Sequence, residues 1–148
     1  MDRAEIAVQT MGSGFNCAQS MIKAYASELK VDEDAVVRMA SPFGGGLGRN
    51  GYVCGAVAGA ALVIGARFGN ADAADTAARD RAYAAAGKLM EKFQAEHHTV
   101  LCRELIAFDI NTPEGYQRAR DAGVFQNRCP LFLRSAGKLL DEILADKD

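Results

Sequence analysis

Apolar residues recur at three- and four-residue spacing along most of the chain, and no run of alternating β-branched and aromatic positions marks a strand. The pattern therefore predicts helices, with boundaries set by capping residues and by Gly and Pro. The first covers Asp2 to Met11 and is closed by Gly12 and Gly14. Asn16 caps a second, from Cys17 to about Lys30, with Ala18, Met21, Ile22 and Tyr25 on one face. A third begins at Asp32 or Asp34 and ends before Pro42. Tyr52 to Phe68 forms an apolar fourth, stopped by Gly69-Asn70. The longest opens at Asp72 or Asp75 and runs to about His97, with alanines between Tyr83, Leu89, Met90 and Phe93 that allow close helix contact. Thr99 caps Val100 to Phe108, Pro113 opens a helix to about Ala122, and Pro130 suits the first turn of a last helix ending near Ala145. The expectation is an all-α, compact single-domain bundle of about six to eight helices covering residues 1–148, without repeat or linker.

Composition narrows the function. With 148 residues, 49% of them hydrophobic, the chain can bury one core and fold alone or as a small oligomer. A net charge of -2 from 17 basic and 19 acidic residues leaves no footprint for nucleic acid or for an anionic membrane. The apolar run Gly51 to Ala66 is shorter than a membrane span and contains several glycines. Met1-Asp-Arg-Ala-Glu carries charge where a signal peptide needs an apolar stretch, so the expected location is the cytoplasm.

The Gly-rich segment Ser41-Pro-Phe-Gly-Gly-Gly-Leu-Gly-Arg-Asn-Gly51 contains G-x-G-x-x-G at Gly46, Gly48 and Gly51. A dinucleotide loop needs a strand before it, and Asp34 to Ser41 reads as helix. A Walker loop needs Gly-Lys-Ser or Gly-Lys-Thr, and neither follows. What remains is a loop whose backbone can approach a ligand through Gly44, Gly45 and Gly46, with Arg49 able to stabilise an anion, or else a tight helix-to-helix turn with Arg49 solvated. Gly55 and Gly59 form a small-xxx-small pair; ordinary core packing accounts for it, and it could also mate two copies as a homodimer. His97 and His98, at a polar helix end, fit a solvated or C-terminal dipole role and take no catalytic one. Tyr52, Tyr83 and Tyr116 show no pairing with a base.

Cysteine placement is more informative. Cys17, Cys54, Cys102 and Cys129 contain no C-x-x-C pair, which excludes zinc-ribbon, thioredoxin-like and c-type haem spacing. Each nevertheless falls within a turn of an expected helix start, where free N–H groups and the helix dipole favour thiolate. Four ends that converge would make a four-cysteine cage for an iron-sulfur cluster or for zinc. Two that meet would make a dithiol pair, with Cys54 as the attacking thiolate. Free cysteines packed as small hydrophobes are the plain alternative.

In length, order and motif the sequence resembles the C_GCAxxG_C_C family of redox-active proteins, from about Gly14 to Leu140. The family motif is matched by Cys54-Gly-Ala-Val-Ala-Gly59, and the preceding Phe43-Gly-Gly-Gly-Leu-Gly-Arg49 is similar to the family's loop. Cys17 matches the first family cysteine, Cys102 the third and Cys129, in Asn-Arg-Cys-Pro, the fourth. The resemblance implies metal ligation by all four cysteines, with Gly44, Gly45, Gly46 and Arg49 lining the centre. A further likeness, to the non-haem part of split-Soret cytochromes, implies a [2Fe-2S] cluster. The implied function is electron transfer or redox sensing with a redox partner protein. A thiol-disulfide oxidoreductase and a zinc-stabilised interaction module are the alternatives, so whether the chain is an enzyme stays open.

Overall fold

The computed structural model describes residues 2–146. Among the described residues the eight expected helices form, joined by short helical turns and by a further short helix, α8: α1 Arg3–Gly12, α2 Cys17–Tyr25, α3 Glu33–Ala40, α4 Gly55–Phe68, α5 Thr76–His97, α6 Cys102–Ile106, α7 Pro113–Asp121, α8 Val124–Asn127 and α9 Cys129–Ala145. Local chemistry sets most starts. Asp2, Asn16, Asp75 and Thr112 each accept a backbone N–H two or three residues into the helix they precede.

Helices α2, α4 and α9 carry the core. α2 packs between α1, α3 and α4, while α9 rests on α1, α4 and α5. Met21, Ile22 and Tyr25 of α2 meet Val57, Val63 and Ile64 of α4 and Leu133 and Leu140 of α9, all fully buried. The Tyr25 hydroxyl donates to Asp141 Oδ1 at 2.6 Å and lies 3.0 Å from the Gly137 carbonyl oxygen, tying α2 to α9. No helix among the described residues is long and apolar enough to cross a membrane.

Two boundaries move for identifiable reasons. α4 begins at Gly55 rather than Tyr52, because Val53 pairs with Leu101 in an isolated antiparallel bridge. The same bridge delays α6 to Cys102, with Leu101 in the cap position that Thr99 was expected to hold; Thr99 Oγ1 instead accepts the Leu101 N–H at 3.1 Å.

Between α3 and α4 the chain turns through Ser41–Phe43 and then reverses hand. Gly45, Gly46, Leu47, Gly48 and Arg49 all have φ between 63° and 69°. Glycine takes this conformation freely, whereas Leu47 and Arg49 each bear roughly 1–2 kcal/mol for it. Bonds from Gly51 N–H to the Gly45 carbonyl and from Tyr52 N–H to the Gly46 carbonyl close the turn.

Candidate thiol site

Cys17, Cys102 and Cys129 are the first residues of α2, α6 and α9, and Cys54 caps α4. Four helices that are far apart in sequence thus present their N-terminal ends, where backbone N–H groups lack intrahelical partners. Asn16 fixes the first by a reciprocal cap, accepting the Gln19 N–H at 2.9 Å while its own N–H donates to Gln19 Oε1. Its Nδ2 also donates to the Ser41 carbonyl at 2.9 Å. A Cβ at Gly44 would collide with that side chain at 2.5 Å, which is why glycine stands there.

Cys54 and Cys102 are set by the bridge. The Cys54 N–H donates to the Val100 carbonyl at 2.8 Å, and the Cys102 N–H to the Tyr52 carbonyl at 2.6 Å. Alternate residues of an extended pair share a face, so these two thiols, each one residue past the bridged pair, lie on the same side. Gly46 lies against Cys102, since a Cβ there would sit 2.8 Å from the Cys102 Cβ. Gly55 and Gly59 bring α4 onto the start of α2: added Cβ atoms would meet Cys17 Cβ at 3.0 Å and the Ala18 carbonyl at 2.8 Å. The small-residue pair therefore serves packing within one chain.

The four thiols line a single cavity of about 940 Å³. Cys54, Cys102 and Cys129 are buried and Cys17 is half-buried, 3.7 Å from the Met11 sulfur. Cys17 and Cys129 lie close enough to shift each other's titration. Their interaction raises Cys17 well above the ordinary thiol value and lowers Cys129; burial adds to the first shift, and the Arg128 cation to the second. Burial pushes Cys54 up to about 11, opposed by the backbone N–H groups of Ala56 and Val57 in the first turn of α4. Burial, with the nearby Cys54 and Cys129 charges, pushes Cys102 up to about 12.

Of the four thiols Cys129 is the one shifted towards thiolate, by Cys17 and by the Arg128 cation. Among the described residues no three Cys, His, Asp or Glu side chains gather closely enough to grip a single ion. The thiols stand around a shared space, with Cys17 and Cys129 close enough to shift each other.

The other expected residues divide. Gly44, Gly45 and Arg49 line the cavity, whereas Gly46 is buried behind Cys102. Backbone N–H groups in the first turn of α4 favour the Cys54 thiolate. His97 is half-buried rather than solvated: its Nε2 lies 2.8 Å from Ser135 Oγ and its ring packs on Phe93 and Phe132. Sequence reading missed Arg128, although its place beside Cys129 was visible. It also missed Tyr116 and Arg120 of α7, for which nothing local signals a place on the cavity.

A family model described as "Putative redox-active protein (C_GCAxxG_C_C)" matches residues 15–143. No curated protein and no solved structure matches the chain.

Proposed function

This chain belongs to the C_GCAxxG_C_C family, described as redox-active, and on that premise we propose that Cys17, Cys54, Cys102 and Cys129 hold one iron-sulfur cluster, of [2Fe-2S] type, used for electron transfer or redox sensing. The observation that carries this reading is the delivery of four thiols by four helix starts to one cavity, with no three of them gathered about a single point among the described residues. A two-iron centre takes two thiolates per iron, whereas one tetrahedral zinc needs all four about a point. When bound, the cluster would supply one-electron chemistry. The chain's own part is to hold and tune. The backbone N–H groups of Ala56 and Val57 favour negative charge on the Cys54 sulfur, Arg128 offsets negative charge beside Cys129, and buried Leu105, Ile106 and Phe132 keep water from the floor.

Protein purified without oxygen should be brown, with about two iron and two acid-labile sulfide per chain. Cys→Ser at any one of the four positions should bleach it. A colourless protein with stoichiometric zinc overturns the reading.

One observation favours a second reading, thiol-disulfide exchange: Cys17 and Cys129 lie close together, and Cys129 is shifted towards thiolate beside a thiol able to resolve it. Its signature would be a metal-free protein that loses two thiols on mild oxidation. A Cys17–Cys129 disulfide should then appear by mass spectrometry and survive Cys54→Ser and Cys102→Ser.

A further inference from the structure

The cavity is larger than its thiols require. At about 940 Å³ it falls in the range of pockets that enclose small organic ligands, roughly 300–1,000 Å³. Its wall beyond the cysteines has two chemistries. Leu105, Ile106, Ile110, Phe125 and Phe132 make it apolar inside, while the charged side chains on it are Arg49, Arg120 and Asp121, all exposed at the mouth.

One of the two arginines stacks on an aromatic ring of the wall, and the other stands on the helix that carries that ring. The Arg49 guanidinium lies 3.8 Å above Tyr116, and Arg120 follows Tyr116 by one helical turn on the same face of α7. Arg49 is held there by its left-handed backbone and by Gly45, where a Cβ would strike the Arg49 stem at 2.9 Å. Neither arginine has a carboxylate within ion-pair distance among the described residues. Asp121 opposes them in sign and accepts a hydrogen bond from Gln117 Nε2 at 2.9 Å, so the mouth keeps an excess of positive charge.

We propose that this cavity is a binding site for a small organic anion, a carboxylate or phosphate ester with an apolar body, whose charge is held by Arg49 and Arg120 and whose body lies on Phe125 and Phe132. Arginine suits both anions through paired N–H donors, and its stacking on Tyr116 fixes the plane of the fork. That such a ligand is the substrate of the redox centre rests on the function proposed above; that it binds does not.

The test uses the full chain purified without oxygen and isothermal titration calorimetry with four probes: 2-naphthoate, 2-naphthyl phosphate, neutral 2-naphthamide and inorganic phosphate. Both aromatic anions should bind about tenfold tighter than the amide and than inorganic phosphate, and Arg49→Gln with Arg120→Gln should remove that advantage. Tighter binding of naphthyl phosphate than of naphthoate would assign the natural ligand to the phosphate esters, and the reverse order to the carboxylates. Equal affinity for acid and amide, an advantage that persists in the double variant, or no binding of either anion overturns the proposal. Far-ultraviolet circular dichroism and melting of the double variant establish that it is folded. Iron and sulfide content, measured on the same preparation, separates failure of this proposal from failure of the redox reading.

Discussion

α4 and α5 are neighbouring helices with similar small-residue content and opposite uses for it. In Gly55-Ala-Val-Ala-Gly-Ala-Ala-Leu-Val-Ile64, seven of the ten residues are buried, and the two motif glycines put backbone against the first turn of α2. Along α5 only Leu89 and Phe93 are buried, Tyr83 is 70% exposed, and Ala77, Ala84 and Ala95 face solvent. Alanine thus marks close contact in one helix and simple helix propensity in the other. What separates them is whether another backbone lies within reach of the missing side chain.

Glycine substitution should make that difference largest. Gly59→Ala drives a methyl group to 2.8 Å from a fixed carbonyl, and a loss of about 1–3 kcal/mol is expected in urea unfolding. Gly87→Ala in α5, where nothing lies within 4 Å, should instead gain about 0.5–1 kcal/mol. Equal signs for the two would break the comparison.

Alkaline pH should sharpen it at the thiol end. Cys54 and Cys102 titrate near 11 and 12 in the folded chain against an ordinary 9.0, so the fold favours their protonated form. Their stabilising contribution is whole below pH 9 and is lost as pH rises towards 12. Cys102→Ser should flatten that decline in metal-free, reduced protein, as followed by unfolding at stepped pH. Smallest is the α5–α9 surface, where Lys92 meets Glu142 at 3.4 Å with both exposed; Lys92→Ala should change stability by no more than about 0.5 kcal/mol.

How far the sequence reveals all this depends on range. Caps such as Asn16, Asp75 and Thr112 act within three residues of where they stand, so the helices they start are readable from the letters. The Val53–Leu101 bridge joins residues far apart, and so the true starts of α4 and α6 are not readable. The thiol site divides in the same way. Placement of each cysteine at a helix start is local and legible, and the family motif adds which four belong together. The pairing of Cys17 with Cys129, the lowering of Cys129 and the cavity position of Tyr116 and Arg120 need tertiary packing. The G-x-G-x-x-G letters also hide their handedness: glycine permits a left-handed turn without announcing it.

The spread of the four thiols along the chain also orders its synthesis. Cys17 and Cys54 leave the ribosome while Cys102, against which Gly46 must rest, is still to be made, and Cys129 comes later still at the start of α9. Domains fold as units, and contacts between distant residues close late. A nascent chain lacking α9 therefore exposes two or three unpaired thiols with no finished cavity, so the protein's greatest exposure to stray oxidants and wrong metals comes before its last helix is complete.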